Sequence, residues 1–177
     1  MIAVDCGPAN AYIDQAMMAH YQKPYDQGGQ MALKGTINQD VMAQFMSDSW
    51  FDVAPPKSLD RHHFDRYYDL VQGLSAVDQI ATLTMLSVMA VMKALKHLPE
   101  KPKSILVVGG GANNATMLKW LSDETGIAVA PYPHQADLVE AEGFAFMAVR
   151  SLLGLPITFP KTTKAPQPLC GGRLHKA

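Results

Sequence analysis

The chain has 177 residues, of which 48% are hydrophobic and 18% charged, a balance that supports a packed core and excludes a disordered polymer. Its length suits one domain spanning 1–177. A formal net charge of -1 offers no basic surface for nucleic acid, and two cysteines, Cys6 and Cys170, exclude a disulfide framework and make a reduced, cytoplasmic compartment the default.

Ile2 to Asp5 reads as a short buried strand that delivers a carboxylate to the Gly7-Pro8 turn. Asp5 interrupts the apolar opening, and no basic residues precede it, so it does not read as a signal peptide. Asn10 to Tyr21 has a helical pattern, with Ile13 and Met17 on one face. Lys23 to Gly35, broken by Pro24 and Gly28-Gly29, is a loop. Asn38 is placed to cap a helix reaching about Ser47. Trp50 to Arg61, with Pro55-Pro56, is irregular, and Phe64 to Gly73 reads as a helix. Ser75 followed by Asp78 resembles an acidic capping box and starts a long helix to about His97. Its segment Ile80 to Leu95 is shorter than the roughly 20 apolar residues of a membrane span, so a buried core helix is expected and no membrane partner. Met85, Met89 and Met92 along it read as flexible core filler.

Ser104 to Val108 is continuous and β-branched, which predicts a strand buried on both faces. Gly109-Gly110-Gly111 forms a turn, a helix runs from Asn113 or Asn114 to Thr125, and Gly126 ends it. Ile127 to Ala130 is a further strand. Leu138 to Gly154 is a helix with Phe144, Met147 and Leu152 among its apolar positions. From residue 156 to 177 a proline-rich tail reads as extended. The order predicts an α/β fold with parallel crossovers and three strands.

Few segments carry chemistry by pattern. VVGGGANN, Val107 to Asn114, is a strand, a glycine turn and a helix start. It could bring backbone N–H groups to a phosphate, or it could be a tight packed turn, and the local residues do not separate the two. It matches neither the dinucleotide fingerprint, since Asn114 stands where a glycine is needed, nor the P-loop, which needs Gly-Lys-Ser/Thr. Asp5, at a strand end beside Gly7, Pro8 and Asn10, can act as a general base. Asp14 reads as a solvated helix residue. His62-His63 has poor spacing for a metal, so no metal site is expected. Cys6 lacks a partnered histidine and reads as an inert thiol. Glu140 and Glu142, at the start of the last helix, suit the helix dipole or a cleft.

Together these segments change the reading. DCGPANAYID resembles the DTGPGN-x-x-x-D segment of anhydro-N-acetylmuramic acid kinases. YDQGGQMALKG is similar to that family's acidic-DxxG…A-x-x-G stretch, and PPKSLDRHHF to its PPKSTGRE-x-F loop. VVGGGANNATML is similar to its GGGA-x-N-x-x-L motif on the adenosine side, and ADLVEAEGFAFMAVRSLLGLPITFP to its closing helix and tail. The motifs keep their order from Asp5 to Pro160.

The resemblance implies a ribonuclease H-like lobe of the actin/Hsp70 type, with an incomplete mixed sheet flanked by helices, in a superfamily whose two lobes hold ATP between them. It implies a kinase that opens the 1,6-anhydro bond of anhydro-N-acetylmuramic acid and phosphorylates O6, in cell-wall sugar recycling. Asp5 matches the catalytic base that activates water. Gly7, Pro8 and Asn10 match the turn near the phosphates and sugar. Gly109, Gly110, Gly111 and Asn113 match the ATP-binding motif, and Glu140 matches a closing-helix glutamate on the substrate. ATP with Mg²⁺ would be the cofactors.

The departures set further expectations. Family members are about twice as long, and their first phosphate loop, G-x-S-x-D-G, does not occur here. Cys6 replaces a threonine, Ala9 a glycine, and Leu59-Asp60-Arg61-His62 stands for Thr-Gly-Arg-Glu. The chain then reads as a C-terminal lobe with the N-terminal lobe absent, with little or no kinase activity alone. The alternative is a non-catalytic module that binds nucleotide or docks on a partner, either a separate N-terminal lobe or a second copy.

Overall fold

In the computed structural model, which describes residues 2–60, 62–134 and 138–175, one helix organises the core. Ser75 caps it: its side chain accepts from the Asp78 N–H at 3.3 Å and donates to Asp78 Oδ2 at 2.6 Å. The helix, α4, runs Ala76–Leu95, 20 residues or about 30 Å. By length and composition it is the one helix among the described residues that could cross a membrane. It is instead a core helix, because every residue from Gln79 to Val88 is buried. Its buried polar groups are satisfied: Thr84 donates to Ile80 O (2.8 Å), Ser87 to Ala9 O (2.6 Å), and Thr82 Oγ1 accepts from the Asn38 N–H (3.0 Å).

Against α4 pack α1 (Ala11–Tyr21) and α2 (Gln39–Met46). Asn38 caps α2 by accepting from the Val41 N–H at 3.0 Å. α3 is shorter than its sequence pattern suggests, Asp65–Leu70. Together α2, α3 and the single turn Ser49–Asp52 enclose an aromatic cluster. In it Phe45 meets Phe51 and Tyr67 edge-on at 5.0 Å and Phe64 tilted at 5.3 Å.

On the other side of α4 lies a βαβ unit. β1 (Ser104–Val107) pairs in parallel with β2 (Ala128–Pro131), Ser104 opposite Ala128 and Val107 opposite Pro131. α5 (Ala115–Thr125) makes the crossover and packs on α4. Asn114 caps α5 through the Met117 N–H at 2.9 Å, and Gly126 ends it at φ 62°, the left-handed conformation expected of a C-terminal glycine. α6 (Val139–Leu152) and a short α7 (Pro160–Thr163) follow.

Four expectations are corrected. Ile2 to Asp5 is not a strand: no described segment pairs with it, and Ile2 is exposed. A strand without a neighbour leaves its ladder unmade, so this run adopts irregular backbone instead. The sheet therefore has two strands among the described residues, both parallel, and not the three expected. β1 is not buried on both faces, since Leu106 is 53% exposed and Val108 is exposed as well. The tail is not simply extended: it contains α7 and an antiparallel bridge between Thr158 and Leu169. α6 forms where its periodicity places it, yet none of its residues is buried, and Phe144 is 70% exposed.

Candidate functional site

Three hollows border the segment from Asp5 to Asp14; one, about 330 Å³, lies between Asp5, Lys57 and Thr162 to Lys164, and the other two hold most of the motif residues. The larger of those two is a cavity of about 690 Å³ lined by Asn10 and Asp14 on one side, Tyr25 to Gly28 and Gln30 on a second, and Gly110, Asn113 and Asn114 on a third. Its size lies within the usual range for small-molecule sites. The smaller, about 370 Å³, holds Asp5, Gly7 and Pro8 with Leu59, Asp60 and Phe64.

The walls of the larger cavity are fixed from the chain upward. Just before its third wall Gly109 has φ 69° and ψ -166°, a backbone region open essentially to glycine alone, and a side chain there would meet nothing within 4 Å. The glycine is thus required by backbone conformation, and the space over it is open to a ligand. The turn then closes with Ala112 N–H donating to Gly109 O at 3.0 Å. Asn10 joins the walls: its Nδ2 lies 3.5 Å from where a Cβ on Gly110 would stand.

The second wall is held by Asp26, which is 5% exposed. Its Oδ1 accepts from the Met31 N–H at 2.9 Å and its Oδ2 from the Ala32 N–H at 2.9 Å. Gly28 and Gly29 both have positive φ, 65° and 73°. Thr116 donates to Gly29 O at 2.9 Å, which ties this loop to the first turn of α5. The loop and the glycine turn are therefore one unit, clamped where α5 begins.

Around Asp5 the packing differs. The Leu59 N–H donates to Asp5 Oδ2 at 2.8 Å, and the Asp5 N–H donates to Lys57 O at 3.1 Å. The Pro55 to Leu59 loop thus orients the carboxylate without burying it. Gly7 is needed for close packing, since a Cβ there would collide with Ala90 Cβ of α4. Burial pushes the Cys6 thiol up, with the Asp5 charge adding to it, so Cys6 stays protonated and a poor nucleophile. Lys57 donates to Trp50 O at 2.7 Å and lies 4.8 Å from the Trp50 ring centre, and burial draws its ammonium below the usual lysine range.

The structure therefore brings Asn10, Gly110 and Asn113 to one cavity, and places Asp5, Gly7 and Pro8 in the hollow beside it. Gly109 and Gly111 build the turn itself. Glu140 is exposed on α6 and lines neither hollow. Arg61 and Asp137, each part of a motif, lie outside the described residues. Sequence reasoning missed Asp14, Tyr25, Gln27 and Gln30 as lining groups. The signal for the last three was the glycine pair at 28 and 29, which turns the loop toward α5. Among the described residues no cluster of three or more His, Cys, Asp or Glu could hold a metal by itself.

A parallel strand, a glycine turn and a capped helix beside a polar cavity of small-molecule size define an α/β protein. Comparison with known sequences makes this specific. The sequence model of the anhydro-N-acetylmuramic acid kinase family matches residues 1–177, and the chain belongs to that family. It is 44% identical over 181 residues to the anhydro-N-acetylmuramic acid kinase of Rhizorhabdus wittichii, a match covering 99% of this chain and 48% of the relative. The kinase of Zymomonas mobilis is 43% identical over 178 residues, again 99% and 48%. That of Azorhizobium caulinodans is 44% identical over 181 residues, covering 99% of this chain and 49% of the relative. The chain spans about half the length of the curated relatives it matches.

Proposed function

We propose that this chain is the lobe of an ATP-dependent anhydro-N-acetylmuramic acid kinase that carries the catalytic base and the nucleoside side of the ATP site. The observation that carries this reading is the joint placement of the motif residues: Asn10, Gly110 and Asn113 line one cavity, and Asp5 sits in the adjoining hollow five residues before Asn10. The fold accords with a ribonuclease H-like lobe of the actin/Hsp70 type, reduced here to its βαβ unit and helical layer.

The residues fit a nucleotide in part. The open glycine turn suits a closely approaching ligand, and among the described residues the cavity is lined by amides, a tyrosine and carboxylates, with no Lys or Arg. Such a lining accepts a neutral nucleoside better than a triphosphate. Neutralising the phosphates then falls to Mg²⁺ and to basic groups outside this cavity. In the reaction Asp5 takes a proton from the water whose oxygen bonds to the anomeric carbon. The C1–O6 bond breaks, O6 bonds to the γ-phosphorus of ATP, and the bond from that phosphorus to the β–γ bridging oxygen breaks, so that ADP leaves with its electron pair. The hydrogen bond from Leu59 N–H points Asp5 Oδ2 and leaves its other oxygen to accept that proton. Glu140 would reach substrate only from α6, at the edge of the fold.

The exposed apolar residues of β1 and α6 support a covering partner: the part of the kinase that the relatives have and this chain does not match. Positioning between two lobes supplies much of the rate in such transfers, so the lobe alone is expected to bind nucleotide and turn over little. Its two free thiols, Cys6 and Cys170, accord with a cytoplasmic setting. Calorimetric titration with ATP and Mg²⁺, then assay of sugar phosphorylation after mixing with the unmatched half of the Rhizorhabdus wittichii relative, tests the reading. Binding plus restored turnover is expected. Binding without turnover in the mixture would leave the non-catalytic module as the better account.

A further inference from the structure

Asp14 stands apart from the other acids of the site. It lies in the first turn of α1, half-buried, and lines the large cavity with Asn10. Asp26, the other carboxylate of the cavity, spends both oxygens on the backbone N–H groups of Met31 and Ala32. Among the described residues none donates a hydrogen bond to the Asp14 side chain, and burial alone raises its pKa. A half-buried carboxylate without a donor is costly unless something else supplies one.

The surrounding groups narrow what that donor is. Among the described residues no Lys or Arg lines the cavity, so they offer nothing to offset the repulsion between Asp14 and a phosphate or carboxylate beside it. Asn10, Gln27, Gln30 and Asn113 carry amides, which both donate and accept. Tyr25, 58% exposed at the rim, offers an aromatic face. A cation would need several oxygens, and Asp26 has none to spare. The remaining ligand is one rich in hydroxyl donors. We infer that Asp14 is a specificity-determining residue whose carboxylate accepts hydrogen bonds from a vicinal diol of the ligand in this cavity. The diol is that of a ribose: in the anhydro sugar the C1–O6 bridge, the C2 acetamide and the C3 lactyl ether leave one hydroxyl and no vicinal pair.

The inference rests on the nucleotide reading above, and one set of titrations separates them. The unsubstituted chain and Asp14→Asn are titrated with ATP–Mg²⁺, with 2′,3′-dideoxy-ATP–Mg²⁺ and with the anhydro sugar. Asn keeps the size of Asp but not its charge, and an unfolding curve checks that the variant folds. Loss of a charge-assisted hydrogen bond is expected to weaken binding about tenfold to a hundredfold. If the diol is ribose, the dideoxy nucleotide binds the unsubstituted chain as weakly as ATP binds the variant, and the variant does not tell the two nucleotides apart. A penalty that falls on the anhydro sugar instead would overturn the inference, because that ligand has no vicinal diol. Equal affinities of both proteins for all three ligands would overturn it and leave the nucleotide reading intact. Mn²⁺ binding without nucleotide, abolished by Asp14→Asn, would also overturn it. If the unsubstituted chain, alone or mixed with the complementary half, binds none of the three, both fall together.

Discussion

Gly29 offers a quantitative test of the clamp between the Tyr25 to Gln30 loop and α5. In Gly29→Ala the new Cβ would stand 2.5 Å from Thr116 Cβ and 2.7 Å from Thr116 Oγ1, and would overlap Asn114 Oδ1. Holding a non-glycine residue at φ 73° costs about 1–2 kcal/mol. Relieving the overlap moves Asn114, the cap of α5, at about 1 kcal/mol. It also stretches the 2.9 Å bond from Thr116 to Gly29 O, worth about 1 kcal/mol. The lower chain entropy of unfolded alanine returns about 0.5 kcal/mol. The net destabilisation is about 3 kcal/mol. Gly28→Ala is the matched control. It has φ 65°, but the nearest atom to its Cβ is Gln30 Cγ at 4.0 Å, so only the backbone cost of about 1 kcal/mol applies. The two variants should therefore differ by about 2 kcal/mol, roughly thirtyfold in the unfolding constant. In urea titrations followed by circular dichroism, at a shared slope, this separates the midpoints by about 1 M. Gly29→Ala should also weaken ATP binding, because the displaced loop is a wall of the cavity. Midpoints for the two variants that coincide would refute the clamp.

Other expectations follow from separate parts of the fold. Phe45→Ala, which empties the centre of the aromatic cluster where Phe45 is fully buried, should cost about 3–5 kcal/mol in the same titration. A loss below 1 kcal/mol would mean the cluster is not packed as described. Burial works to raise the pKa of Asp48, but the Trp50 N–H, the Arg66 guanidinium and the Tyr67 hydroxyl hold it below the ordinary 3.8. The stability it confers is thus fully present above about pH 4 and drains away as pH falls through the depressed value. Asp48→Ala should flatten that acid limb of the stability profile, and an unchanged limb would count against the network. Replacing Phe144 and Phe146 of α6 together by serine should lower dye binding and concentration-dependent association without moving the unfolding midpoint by more than about 0.5 kcal/mol, since neither is buried. A large midpoint shift would show that α6 packs on the core.

Helices were readable from the chain because their ends are written locally. Asn38, Ser75 and Asn114 each accept from a backbone N–H three residues on, and Gly126 takes the left-handed conformation that ends α5. Strands carry no such local signature. The run Ile2 to Asp5 has strand composition, but a strand exists only where another segment completes its hydrogen bonds, and here the Pro55 to Leu59 loop holds Asp5 instead. Burial was the least legible property. Ser104 to Val108 and α6 are both apolar enough for an interior, yet Leu106, Val108 and Phe144 face outward, because burial depends on what covers a face and not on the face alone.

The same distinction explains the candidate site. Asp5 and the three glycines from Gly109 to Gly111 stand out in the chain because glycine and strand-end carboxylates punctuate it. Asp14 does not: a carboxylate in the first turn of a helix has an adequate explanation in the helix dipole. Only when the loop from Tyr25 to Gln30 and the turn at Gly110, distant in sequence, close over α1 does Asp14 become half-buried with no donor among the described residues. What marks it is then a mismatch between its charge and its surroundings. That mismatch arises from contacts across roughly a hundred residues of chain, so it is a property of the fold and ties the specificity of the cavity to the Gly29–Thr116 clamp that forms it.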